Sequence, residues 1–364
     1  MVVKVGSSSL TRADGGLDLN RIDILAGLFA GMRRRGHDVV LVSSGAVASG
    51  LVPLGLSRRP DELSLLQAAA SVGQGRLAAR WETAMSAYGL VTAQVLLTAH
   101  DVAIRSHYRT VRATFDSLLS LGAVPIINEN DAVATSEFSL GDNDRLAALV
   151  AHLVTADVLV LLTDVDGLWT AQPGTPGAEP IRYVRSAADL EGVSVSGRGS
   201  FVGTGGMTTK LQAATIACAS GTTTLIARAD DAVGLLGEVQ VPVDLGTWFE
   251  PTGPHRPSRR LWMAHASQPE GRLLVDAGAA HALTVGKKSL LLPGLTGIDG
   301  DFESGAVVDV VGPERTLARG ICRYAAAELH EVLVARAEGV PAPDHVAPVV
   351  HRDDLAELPR TAGV

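Results

Sequence analysis

Over the first two-thirds of the chain, short runs of β-branched residues alternate with longer stretches in which apolar residues recur every three or four positions. The first pattern predicts strands and the second helices, and their repeated alternation predicts a mostly parallel sheet with helices on both faces. Strands are expected at residues 2–5, 39–42, 91–96, 124–127, 158–162 and 223–227. Leu25, Leu28, Phe29 and Met32 fall on one helical face, and Gly36 is expected to stop that helix in a left-handed conformation. Gly89, Gly122 and Gly221 repeat the device ahead of later strands.

The pattern changes near Pro251, where Gly253, Pro254 and Pro257 deny both helix and strand, so residues 254–268 read as a linker. Beyond it lie short β runs at 272–275, 289–292, 306–311 and 318–323, separated by Pro293-Gly294, Asp299-Gly300 and Gly312-Pro313. These predict a small β-barrel over residues 269–348, and the polar tail from 349 to 364 is expected to fray at its end. The expected architecture is thus α/β over residues 1–253, a three-layer sandwich around a mostly parallel sheet, with a small β-rich domain after it. No internal repeat is visible.

Composition narrows the picture. A chain of 364 residues, 46% hydrophobic and 19% charged, can build two cores. Its formal charge of -8 argues against a protein that coats nucleic acid or anionic membrane. Cys218 and Cys322 both stand in apolar surroundings and read as buried thiols rather than a disulfide or a metal site. No cleavable leader is visible, and the most apolar run, residues 146–162, is interrupted by His152 and Asp157, so a soluble cytoplasmic protein is expected. Met1 abuts the first strand, which suggests that residues precede it in the natural chain.

The most informative segment runs from Gly203 through Thr204, Gly205, Gly206, Met207, Thr208 and Thr209 to Lys210. Glycines let backbone approach a ligand, and the free N–H groups of a helix start attract an anion, to which Lys210 adds a full charge. The spacing is neither that of a P-loop nor GxGxxG, and a bare glycine-rich surface loop is the competing reading. Four strand ends are also polar: Gly6 to Ser9 after the first, Ser43 to Ala46 after the second, Asn128 to Asp131 after the fourth, and Thr163-Asp164 after the fifth. In open α/β sheets, ligands collect outside such ends. Lys4 lies inside an apolar strand, where a buried ammonium needs a partner unless it reaches water at the strand end. Asp144, in Gly141-Asp142-Asn143-Asp144, is the candidate carboxylate, with ordinary helix capping as its alternative role.

These segments together, Lys4 to Ser7, Ser43 to Ala46, Ile127 to Val133, Gly141 to Asp144, Leu162 to Asp164 and Gly203 to Lys210, resemble the amino acid kinase family. Residues 302–310 and Gly320 resemble a PUA domain. Within the family the chain resembles members that phosphorylate the side-chain carboxylate of L-glutamate with ATP, opening proline biosynthesis. It implies phosphate contacts for Lys4 and Lys210 with Asp144 orienting both, and an ATP site at Thr163, Asp164 and the 204–210 loop. It also implies glutamate binding by Ser44, Asp131 and Asn143, and Mg²⁺ held by phosphate oxygens and water, with no protein metal ligand. Ser7 and Ser43 depart from the threonine more common in the family but keep the hydroxyl. Proline as a feedback inhibitor and a homodimer or homotetramer are further implications.

Rival readings are a kinase of aspartate or N-acetylglutamate, an RNA-binding protein, and a non-catalytic nucleotide sensor. A sensor would be expected to lack a lysine or Asp144. Between residues 254 and 352, 11 Lys and Arg balance 11 Asp and Glu, which gives RNA no basic excess to bind.

Overall fold

The computed structural model describes residues 1–12, 16–98, 101, 105–133, 143–190, 206–231, 233–234, 245–253, 269–339 and 347–358. The expected linker, and Thr204 and Gly205 of the glycine-rich loop, lie outside them. The chain divides into two units, Met1–Pro257 and Ser258–Val364.

In the first unit the six apolar runs become β1 (Val2–Val5), β2 (Val40–Ser43), β3 (Thr92–Leu97), β4 (Val124–Glu129), β5 (Val158–Thr163) and β9 (Thr223–Arg228). With β8 (Tyr183–Val184) and β10 (Thr247–Phe249) they form one sheet in the order β3-β4-β2-β1-β5-β9-β10-β8. The first six are all parallel, and β10 joins β9 antiparallel. β6 (Leu168–Trp169) and β7 (Pro180–Ile181) make a separate antiparallel pair. β1 is at the centre, and all four of its residues are buried because it has a strand on each side and helices on both faces.

The helices are α1 (Ser7–Leu10), α2 (Leu19–Arg34), α3 (Ala46–Leu51), α4 (Leu63–Ser86), α5 (Arg105–Ser120), α6 (Asn143–Leu153) and α7 (Met207–Ala219). Asp18 caps α2 by accepting from the Arg21 N–H, and Leu25, Phe29 and Met32 are buried as their spacing predicts. Gly36, Gly89, Gly122 and Gly221 all have positive φ, between 73° and 85°, each just past a helix. Trp81 of α4 packs against Phe29 of α2, ring centroids 6.2 Å apart, and its indole donates to Ser43 Oγ at 3.0 Å. That bond fastens α4 to the end of β2. Burial pushes the Cys218 thiol up to about 11, which keeps it protonated and inert, as its apolar context suggests.

The second unit holds β11 (Gly271–Val275), β12 (Leu295–Asp299), β13 (Val307–Val311), β14 (Thr316–Cys322) and β15 (Val350–Glu357), in the order β12-β11-β13-β14-β15. Two helices accompany them, α8 (Ala277–Thr284) and α9 (Ala326–Ala337). Residues 289–292 do not form the expected strand. Leu290 makes one isolated bridge to Val350, and a 3-10 turn follows at Leu292–Gly294, where Pro293 has no N–H to give a ladder. The expected tail contributes β15, antiparallel to β14. Its central run His351-Arg352-Asp353-Asp354 hides the strand from a hydropathy reading and suits a sheet edge, where charge discourages further pairing.

Two close helix contacts set the geometry beside β2. A Cβ on Gly73 would meet the Ala46 carbonyl oxygen, and one on Gly50 the Ala69 carbonyl oxygen, so α3 and α4 approach backbone to backbone. Gly75 has open space around its Cα and is exposed. Gly73→Ala is expected to cost about 1–3 kcal/mol through overpacking, whereas Gly75→Ala should stabilise by about 0.5–1 kcal/mol through helix propensity. Thermal or denaturant unfolding of the two variants checks the opposite signs.

Candidate functional site

Lys4 is the third residue of β1, paired with Val42 and Leu161, so its side chain rises at the strand's carboxyl end. Asp144 is in the first turn of α6 and Lys210 in the first turn of α7. The three converge. Lys4 Nζ lies 2.5 Å from Asp144 Oδ1, and Lys210 Nζ lies 3.1 Å from Asp144 Oδ2. Thr209 Oγ1 shares its hydrogen between Asp144 Oδ2 at 3.2 Å and the Gly206 carbonyl oxygen at 2.9 Å. Lys4, Asp144 and Lys210 are 3%, 0% and 6% exposed.

Two ammonium groups thus meet one carboxylate in a nearly dry place, and burial of charge is costly unless it is compensated. The beginning of α7 adds donors. Its N-cap is Gly206, which has no side chain to cap the first turn. The helix start with its dipole and the two lysines together favour an anion such as a phosphate chain.

A second cluster lies at the ends of β2 and β4. Asn143, next to Asp144, has its Nδ2 2.8 Å from Ser44 Oγ, 2.9 Å from Asn128 Oδ1 and 3.3 Å from the Ser43 carbonyl oxygen. Asn128 Oδ1 also accepts from the Glu129 N–H at 2.9 Å, and Asn128 Nδ2 donates to Gln74 Oε1 at 2.7 Å. The donors of Asn143 are therefore used within the protein, and what it retains for a ligand is its amide oxygen. Ser44 Oγ accepts from Asn143, which leaves its own O–H to donate. Ser43, by contrast, is fully buried, takes the Trp81 indole N–H and donates to the Ser44 carbonyl oxygen at 3.1 Å. Its hydroxyl is structural.

The remaining expected site residues are less tightly joined. Thr163 is buried at the end of β5 and donates to Asp164 Oδ1 at 3.0 Å, while Asp164 is exposed. Met207 is half-buried and Thr208 exposed at the start of α7. Asp131 follows β4 and is half-buried; burial pushes its carboxyl above the usual carboxylate range, opposed by the nearby Arg59 guanidinium. Among the described residues no group of three or more His, Cys, Asp or Glu side chains could hold a metal ion. No described helix is long and apolar enough to cross a membrane. Sequence reasoning passed over Gln74, which sits in the middle of a long helix and bonds a residue 54 positions away.

The model of the amino acid kinase family matches residues 1–228, and that of the PUA domain matches residues 271–340. A glutamate 5-kinase of Frankia casuarinae is 52% identical over 365 residues, which span 98% of this chain and 96% of that protein. A glutamate 5-kinase of Streptomyces coelicolor is 49% identical over 366 residues, with 98% and 96% covered. The solved structure of carbamate kinase from Giardia lamblia bound to AMP-PNP superposes with a TM-score of 0.49 at 17% identity, covering 68% of this chain and 97% of that one. The chain belongs to the amino acid kinase family and carries a PUA domain after its kinase domain.

Proposed function

We propose that the protein transfers the γ-phosphoryl group of ATP to the side-chain carboxylate of L-glutamate, giving L-glutamyl 5-phosphate and ADP. The observation that carries the reading is the buried Lys4–Asp144–Lys210 cluster at an uncapped helix start, one residue from the Asn143–Ser44 pair. The near full-length likeness to proteins named glutamate 5-kinase supports glutamate over aspartate or N-acetylglutamate.

The chemistry matches what the site offers. A carboxylate is already ionised at neutral pH, so attack needs no general base. One carboxylate oxygen forms a bond to the γ-phosphorus as the bond to the β,γ-bridging oxygen breaks, and ADP leaves with that electron pair. The task is to align two anions that repel each other and to neutralise charge moving toward the leaving oxygen. Lys4 and Lys210 supply two positive charges, and Asp144 holds both ammonium groups on one carboxylate so that they face a single anion. The start of α7 favours phosphate oxygens through its helix dipole, with Thr163, Asp164 and the 204–210 loop around the nucleotide. Mg²⁺, which prefers phosphate oxygens and water, would lower the charge of the bound nucleotide. At the other end, Asp131 and the Asn143 amide oxygen accept from the α-ammonium of glutamate, and the Ser44 hydroxyl donates to a carboxylate. Proline, which also carries an amine beside a carboxylate, is then expected to compete at the Asp131 end.

Trapping the acyl phosphate with hydroxylamine tests the substrate directly. With ATP and Mg²⁺, hydroxamate should form from L-glutamate and not from aspartate or N-acetylglutamate, and a preference for either rival would overturn the assignment. Lys210→Ala should lower kcat/KM by about 10²–10³, the scale for losing one preorganised electrostatic contact, with a native circular dichroism spectrum. A loss smaller than about tenfold would remove Lys210 from the reaction.

Asp131 must be ionised to hold an ammonium, and its carboxyl keeps its proton to a higher pH than an ordinary one. Glutamate capture therefore weakens as pH falls through that raised value. The acid limb of kcat/KM should accordingly lie above the usual carboxylate range, and Asp131→Asn should lower kcat/KM and abolish the limb. A pH profile of the variant that keeps the wild-type limb would assign the titration elsewhere.

A further inference from the structure

The direction of the hydrogen bonds around Asn143 is fixed by a single unambiguous donor. The Glu129 backbone N–H can only donate, so the Asn128 side-chain atom it meets at 2.9 Å is oxygen. Asn128 therefore turns its nitrogen to Gln74, and the Gln74 atom 2.7 Å away must accept. The same Asn128 oxygen lies 2.9 Å from the Asn143 amide, which must then present nitrogen to it. That nitrogen also donates to Ser44 Oγ at 2.8 Å. From one backbone group the polarity runs through Asn128 and Asn143 to Ser44, with Gln74 accepting at the far end.

We infer that Gln74, acting through Asn128, is a positioning residue that sets which groups Asn143 and Ser44 turn toward the amino-acid substrate. The inference rests on the reading of Ser44 and Asn143 as glutamate-binding groups. Gln74 does not belong to the polar strand ends. It is half-buried in α4, while Asn128 is only 3% exposed. An Asn128 amide deprived of its Gln74 acceptor would leave a buried N–H unsatisfied, and turning over to find another partner would break its bonds to Glu129 and Asn143. The relay would then offer glutamate an amide nitrogen where it needs an oxygen. The backbone under Gln74 is held as well, because the neighbouring Gly73 packs against the carbonyl of Ala46, two residues beyond Ser44. The Lys4–Asp144–Lys210 cluster shares no hydrogen bond with Gln74, so the nucleotide end is outside its reach.

The test is steady-state kinetics on the full-length chain with Gln74→Met, which keeps length and loses the acceptor, and Gln74→Glu, which keeps an acceptor. Gln74→Met should raise KM for glutamate about tenfold, the scale of one buried unsatisfied donor, with KM for ATP little changed and the melting temperature lowered by only a few degrees. Gln74→Glu should lie closer to wild type than Gln74→Met. In an Asn128→Ala background Gln74→Met should add nothing, since its path to the substrate is already cut. A Gln74→Met enzyme whose KM for glutamate stays within about twofold of wild type overturns the inference. So does a variant in which the KM values for glutamate and ATP rise together. If wild type makes no hydroxamate from glutamate, the functional reading falls and takes this inference with it. If it does so while Gln74→Met is silent, the inference falls alone.

Discussion

The arrangement depends on one carboxylate shared by two buried ammonium groups. Without Asp144, Lys4 and Lys210 would be two like charges a few ångströms apart with little water between them, a repulsion that grows as the local dielectric falls. Each carboxylate oxygen takes one lysine, so neither amine competes for the other's place. The position of Asp144 in the first turn of α6 helps further, since a helix N-terminus favours negative charge. Removal of one partner from such a cluster typically costs about 3–5 kcal/mol, which makes the three residues one unit.

The sheet explains how residues so far apart in sequence meet. β1, β2, β4, β5 and β9 are parallel, so their carboxyl ends share one rim. A helix that runs back between parallel strands begins or ends at that rim, and α6 and α7 both begin there. The rim therefore collects Lys4, Ser44, Asn128 and Thr163 from strands or strand ends, with Asn143, Asp144 and Lys210 from helix starts. Two helix N-termini at one rim make it suited to anions before any lysine is added.

Much of this was legible in the sequence because the signals are local. The six parallel strands were marked by β-branched runs, and the four glycines with positive φ by their place after helical patterns. Lys4 declared itself as a charge inside an apolar run, and Asp144 as one polar residue more than a helix cap requires. What escaped notice depends on contacts distant in sequence. Gln74 lies in the long helix α4 and gains its role only when that helix brings it to Asn128. Ser43 read as part of a hydroxyl-rich site, yet Trp81, 38 residues away, draws its hydroxyl into the core. In the second unit, α8 is a short alanine-rich segment without a strong amphipathic pattern, and β15 carries four charged or titratable residues in a row. Packing overrode local propensity in β15, whereas α8 follows the helix propensity of its alanines.

The adjacency of Asn143 and Asp144 gives the site its coupling. Successive helical residues point about 100° apart, so at the head of α6 one side chain reaches the lysines while the other reaches Ser44 and Asn128. The lysine cluster and the Asn143–Ser44 cluster are therefore carried on a single turn of one helix. Phosphoryl transfer between two anions demands that donor and acceptor keep their alignment to within fractions of an ångström. Were the two ends mounted on separate elements, small motions of each would add. Mounted on one turn, whose following residues Leu146 to Leu153 are all buried, the two clusters move together, and in the proposed reaction the stiffness of a buried helix would hold the separation of the reacting groups.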